Sequence, residues 1–166
     1  MKAKGMGSHQ SAVMKNDEWL TPPGIIHALG AFDLDPCAPI VRPWDMAANH
    51  YTKNDDGLMK PWAGRVWCNP PYGLEAARWL HRCVNHGNAI ALVFARTETE
   101  MFFNHVWRKA DAVFFFEGRL YFHRVDGTRA EANAGAPSCL VAYGNNNVAA
   151  IERSGLQGQL VRLVSA

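Results

Sequence analysis

Two adjacent prolines directly after a short apolar run constrain this chain more than any other feature. Val66-Trp67-Cys68 reads as a buried strand, and Asn69-Pro70-Pro71-Tyr72-Gly73 follows it. Neither proline donates a backbone hydrogen bond, and both have a fixed φ. They end the strand and hold a rigid bend. At such a bend the Asn69 side-chain oxygen and the Pro70 carbonyl can point into one cleft. Two convergent acceptors suit an amino group with two N–H donors, and Tyr72 offers a flat face to a planar base. A base in a duplex must be flipped out to reach such a pocket. The competing reading is a plain strand-ending turn. The position after a buried strand, with glycine following, favours a site.

Around this bend, strands and helices alternate. Thr21 is placed to cap a short helix opened by Pro22-Pro23, with Ile25, Ile26 and Leu29 on its apolar face and Gly30 at its end. Phe32 to Asp35 reads as a strand that stops at Pro36, and Ala38 to Trp62 is mostly loop. Leu74 to His86 has helical spacing, and Ala89 to Ala95 is a near-continuous apolar strand. Thr97 or Thr99 can cap a helix running to Ala110, with Phe103, Val106 and Trp107 inward. Ala112 to Phe116 and Ser138 to Tyr143 are strands, separated by a polar, Gly-containing loop over 125–137. This alternation predicts an α/β fold with a largely parallel sheet, in which ligands bind at the carboxyl ends of the strands. Asp35-Pro36 and Asn69-Pro70-Pro71-Tyr72 are two strand ends with unusual polar chemistry.

The length of 166 residues is one domain's worth, with residues 1–16 as a flexible N-terminal arm and 17–166 as the folded domain. With 48% hydrophobic and 19% charged residues, the chain can bury a core. No apolar run approaches the roughly 20 residues of a membrane span, and the N-terminus lacks the apolar region of a secretory signal. A cytoplasmic protein is expected. The formal charge of +2 neither requires nor excludes a nucleic-acid partner. Cys37, Cys68, Cys83 and Cys139 form no C-x-x-C pair, so no metal site is expected. The seven histidines form no sequence cluster. Trp67, Trp79 and Trp107 fit core positions, whereas Trp19, Trp44 and Trp62 can border the cleft.

The sequence resembles the phage-type DNA N6-adenine methyltransferases, a Dam-like family of phages and prophages. The resemblance rests on N-P-P-Y, which looks like the [DNS]-P-P-[YFW] motif of amino-methyltransferases. It rests also on Asp17-Glu18-Trp19-Leu20-Thr21-Pro22-Pro23, Phe32-Asp33-Leu34-Asp35-Pro36-Cys37-Ala38, Asp56-Gly57-Leu58, Ala95-Arg96-Thr97 and Gly118-Arg119-Leu120-Tyr121-Phe122. Together these extend from about residue 8 to residue 144. The resemblance implies a Rossmann-like methyltransferase fold, S-adenosylmethionine as methyl donor, DNA as partner and, for a phage-encoded chain, the host cytoplasm as location. It implies that Asn69, Pro70, Pro71 and Tyr72 form the adenine pocket, and that Thr21, Pro22, Asp35 and Pro36 lie near the methionine end of the cofactor. Asp55 or Asp56 would approach its ribose or adenine. The Gly-rich turn that most methyltransferases carry after the first strand is absent, and Asp35-Pro36-Cys37-Ala38 stands in its place.

Asp35 is physically sensible opposite an ammonium, although turn-capping is a common role for aspartate. Arg96 and Arg119 follow apolar strands and can contact phosphate or be solvated termini. Arg124 and Arg129 stand with Arg119 in a basic stretch from Gly118 to Pro137, read equally as a DNA-contacting loop or an ordinary hairpin. Thirty residues separate Ala38 from Asn69 and 22 follow Gly144, too few in either place for a separate recognition domain. Alternatives are N4 of cytosine as the target, a protein glutamine methyltransferase, or an inactive methyltransferase fold that only binds nucleic acid.

Overall fold

The structure is a computed structural model that describes residues 18–164. The expected arm over 1–16 lies outside the described residues. Seven strands form one sheet: β1 (Leu34–Asp35), β2 (Asn49–His50), β3 (Val66–Cys68), β4 (Ala89–Phe94), β5 (Ala112–Phe116), β6 (Ser138–Tyr143) and β7 (Gly158–Arg162). Their order is β2-β1-β3-β4-β6-β5-β7. Strands β2, β1, β3 and β4 pair in parallel, whereas β6 lies antiparallel to both β4 and β5, and β7 antiparallel to β5.

The sheet is therefore mixed, and the parallel expectation holds for its first half only. The reason lies between β5 and β6. Parallel neighbours need a crossover, usually helical. Residues 117–137 contain no helix, and the chain returns directly into the gap between β4 and β5.

Burial on both faces follows from the period of two. Ile90, Leu92 and Phe94 of β4 pack on one side with Phe32, Trp67, Leu140, Val148 and Ile151. Ala89, Ala91 and Val93 pack on the other with Leu80, Cys83, Phe102 and Val106. Helix α1 (Pro23–Leu29) and α4 (Asn145–Arg153) cover the first face. Helix α2 (Ala76–His86) and α3 (Glu100–Phe102), which runs into a π-helical turn over Phe103–Trp107, cover the second.

Several local expectations are corrected. Thr21 does not cap α1: Pro22 flanks the helix, no side chain caps it, and Thr21 is buried. Pro23 brings no N–H to the first turn, and Ile25 N donates to Pro22 O at 3.0 Å, which meets part of the need for a side-chain cap. Thr99 does cap α3, accepting from Phe102 N at 3.3 Å. Phe103 is exposed rather than inward, because Phe102 and Val106, four residues apart, take the two inward positions. Trp107 is half-buried. His81 and His105, distant in sequence, meet edge-to-face at 5.6 Å. The elements α4, β7 and β2 have no counterpart in the sequence reading.

Candidate active site

Strands β1 and β3 are parallel neighbours, with Leu34 opposite Val66. Their carboxyl ends therefore deliver Asp35-Pro36-Cys37 and Asn69-Pro70 side by side. Cys37 joins them: its Sγ donates to the Asn69 carbonyl at 3.3 Å and lies 3.9 Å from Cys68 Sγ. All four cysteines are free thiols. Gly57 closes the β1 end from above. A Cβ there would meet the Pro36 carbonyl oxygen at 1.9 Å, so the Asp56-Gly57-Leu58 segment can approach only without a side chain. Trp62 Nε1 holds the Gly57 carbonyl at 2.8 Å.

A third segment arrives from the N-terminus. Leu20 is buried and exchanges both backbone hydrogen bonds with His123, at 2.8 and 3.0 Å. This fixes Trp19 and Thr21 against the bend: Asn69 Nδ2 donates to Trp19 O and to Thr21 Oγ1, each at 3.3 Å. A cavity of about 630 Å³ results, lined among others by Thr21, Asp35, Pro36, Asp56, Asn69 and Pro71. That volume suits a nucleotide-sized ligand.

Asp35 is the electrostatic centre of this cavity. It is 3% exposed, and no ion pair among the described residues reaches it. Burial pushes its carboxyl from 3.8 up to about 7, offset only in part by the Cys37 N–H at 3.2 Å and the charge of Arg42. The Cys37 bond is the turn-capping role foreseen for this aspartate. It engages one oxygen and leaves the group without an ion-pair partner among the described residues.

The bend lies between two cavities. Asn69 and Pro71 line the first, whereas Pro70 and Tyr72 line a second of about 530 Å³ with Leu74, Phe94, Arg96 and Met101. Tyr72 is stacked on Phe94, with centroids 4.2 Å apart and planes 8° from parallel, so one ring face is already covered. Burial raises its phenol above the ordinary value.

The remaining sequence-selected residues separate. Asp56 lines the first cavity, whereas Asp55 is an exposed turn residue that accepts from Thr52 N and Oγ1 at 2.8 and 3.0 Å. Those bonds hold its carboxyl below the ordinary value. Pro22 lines neither cavity. Of the four arginines only Arg96 borders one. Arg119 donates to Ala134 O, Arg124 to Thr128 Oγ1, and Arg129 lies over the Tyr121 ring at 4.1 Å. The 118–137 stretch is thus a braced hairpin with Phe122, Ala134 and Ala136 buried, not a loose loop. Trp19, Trp67 and Trp79 line the first cavity, whereas Trp44 and Trp62 do not. Sequence reasoning missed Cys37, Gly57 and Phe94 as parts of the site. Cys37 and Gly57 stand inside motif segments, and Phe94 gave no signal beyond its apolar strand.

Among the described residues there is no cluster of metal-ligating side chains, and no helix is long and apolar enough to cross a membrane.

Fold and site together define an α/β domain with a ligand-sized cavity at the carboxyl ends of its parallel strands and an N-P-P-Y bend at the cavity's edge. The model of the DNA N-6-adenine-methyltransferase (Dam) family matches residues 8–152, and the chain belongs to that family. No curated protein and no solved structure matches it.

Proposed function

We propose that this chain has a Rossmann-like methyltransferase core and transfers a methyl group from S-adenosylmethionine to N6 of adenine in DNA. The observation that carries the reading is the juxtaposition, across adjacent parallel strand ends, of a buried carboxyl group with no ion-pair partner among the described residues and the Asn69-Pro70-Pro71-Tyr72 bend. Family membership supports the reaction class.

The residues present fit the cofactor. Asp35 supplies the anion that the ammonium of a methionine moiety requires, and charge-assisted hydrogen bonds of this kind are the strong ones. Pro36 forms the wall beside it, and Asp56 stands on the same cavity for the nucleoside end. When bound, the cofactor supplies an electrophilic methyl group on a sulfonium centre.

The chain's own contribution is to present the amine. A base amine is a poor nucleophile because its lone pair is delocalised into the ring. Asn69 Oδ1 and Pro70 O accept its two N–H groups, which favours a pyramidal nitrogen and localises the lone pair. Pro71 keeps the bend rigid. Tyr72 gives the flipped base its remaining ring face in the second cavity, with Phe94 behind it. Positioning and preorganised dipoles supply the acceleration. An amide suits this role, because it accepts hydrogen bonds without taking the proton. DNA phosphates meet Arg96 at the second cavity and Arg119, Arg124 and Arg129 on the hairpin.

The test is mass spectrometry of nucleosides from DNA isolated after expression in a host without its own DNA methylation. N6-methyladenine that disappears in Asn69→Ala is the expected result. N4-methylcytosine in its place overturns the adenine assignment, and no methylated base overturns the activity.

A further inference from the structure

We infer that the Trp19–Thr21 segment sets the orientation of the Asn69 amide, and that Thr21 is a positioning residue for the amine acceptor rather than a cofactor contact. The inference rests on the reading of Asn69 as that acceptor.

An asparagine side chain carries a donor end and an acceptor end of nearly equal shape. Only one orientation puts an acceptor in front of the substrate amine; the other presents N–H against N–H. The neighbours decide. Trp19 O is a carbonyl and can only accept, so the end of the amide facing it must be Nδ2. Thr21 Oγ1 lies on the same side, also 3.3 Å from Nδ2. The two N–H groups are thereby engaged, and Oδ1 receives no hydrogen bond from a described residue. Asn69 lines the first cavity, as Thr21 does.

The orienting segment is itself fixed. Leu20 is 1% exposed and paired in both directions with His123, and Thr21 is 1% exposed. A threonine that failed to cap its helix and is buried beside the catalytic bend has this as its polar use. The arrangement also restricts position 69. Other amino-methyltransferases accept aspartate at the first place of the motif. Here a carboxylate would set an oxygen against the Trp19 carbonyl oxygen, with no proton between them.

The experiment compares Thr21→Val, which keeps shape and removes the hydroxyl, with Thr21→Ser, which restores it. S-adenosylmethionine affinity is measured by calorimetry and kcat on DNA under saturating cofactor. Thr21→Val should lower kcat about tenfold or more with cofactor Kd unchanged within about twofold, the pattern of an interaction serving the transition state alone. Thr21→Ser should return kcat to within about threefold of wild type. Unchanged kcat in Thr21→Val overturns the inference, and so does a raised Kd with kcat intact, which would make Thr21 a cofactor contact.

Asn69→Asp decides the matter without touching Thr21. Its kcat should fall steeply at pH 8 and recover, relative to wild type at each pH, as the solution is acidified, because a protonated carboxyl can donate to Trp19 O as the amide does. A wild-type level of activity at pH 8, or a ratio flat with pH, overturns the inference. Wild-type protein that forms no N6-methyladenine refutes the functional reading instead, so the two failures are distinct.

Discussion

Asp35→Asn should make the protein more stable and less able to hold its cofactor. The carboxyl is buried and its pKa stands at about 7 against an ordinary 3.8. The fold therefore favours the protonated form. The native state is unpenalised below about pH 3.8, loses stability as pH rises from 3.8 to about 7, and carries the full penalty above that. A rise of this size corresponds to about 4 kcal/mol. Asparagine has nearly the same shape, does not titrate, and can accept the Cys37 N–H through its own oxygen. Urea unfolding at pH 8 should thus show Asp35→Asn more stable than wild type by up to about 4 kcal/mol, with less than half of that gain at pH 5. Calorimetry at pH 8 should show S-adenosylmethionine bound roughly 10- to 100-fold more weakly, as expected for a lost charged hydrogen bond. In wild type, cofactor affinity should fall as pH drops below about 7. A stability difference that is equal at both pH values, or of opposite sign, refutes the account of Asp35 as a buried charge held for a ligand.

Gly57→Ala should disturb the β1 end, because the added Cβ meets Pro36 O at 1.9 Å; a loss of about 2 kcal/mol or more in urea unfolding, with weakened cofactor binding, is expected. Tyr72→Ala should keep cofactor affinity and lose turnover, with base stacking worth roughly 1–3 kcal/mol; it also removes the Phe94 stack, so a lowered Tm should accompany it. Arg124→Ala with Arg129→Ala should weaken DNA binding and flatten its salt dependence while leaving calorimetric cofactor affinity intact; an unchanged salt slope removes the hairpin from the DNA interface.

The strands were legible where apolar runs were bounded by punctuation. Val66–Cys68, Ala112–Phe116 and Ser138–Tyr143 appear at the positions that the pattern gives. What failed to show is instructive. Helix α4 opens Asn145-Asn146-Asn147, residues of poor helix propensity. They serve there because Asn147 Nδ2 donates to Tyr143 O at 2.8 Å and to Asn88 Oδ1 at 3.0 Å, tertiary bonds with no sequence period. Strand β7 is an exposed edge without alternation. The antiparallel insertion of β6 was hidden because strand patterns carry no direction. At the site, Asp35 and Asn69 were readable as strand-end chemistry. That Thr21 serves Asn69 rather than α1 was not, since a Thr-Pro-Pro run is equally good grammar for a helix start.

The two ends of the sheet differ in how their buried polar groups are used. At the amino end of β3 and β4, the fully buried Asn147 uses both ends of its amide: it accepts from Arg65 Nε at 2.7 Å and donates to Tyr143 O and Asn88 Oδ1. Arg65 Nη1 in turn reaches the carbonyls of Leu29 and Ala31, each at 2.9 Å. These bonds tie α1, β3 and α4 together, although Arg65 Nη2 is buried without a partner. At the carboxyl end, Asp35 is buried with no ion-pair partner among the described residues, and Asp56 holds a positive φ of 55°. Both depart from what stability alone selects, and both line the first cavity. Such departures are where a functional site is sought. The bonds that run from His123 through Leu20 to the Trp19–Thr21 segment, on to Asn69, Cys37 and finally Asp35, make that end one connected unit. A change at the hairpin that carries Arg124 and Arg129 therefore has a physical route to the amide at Asn69.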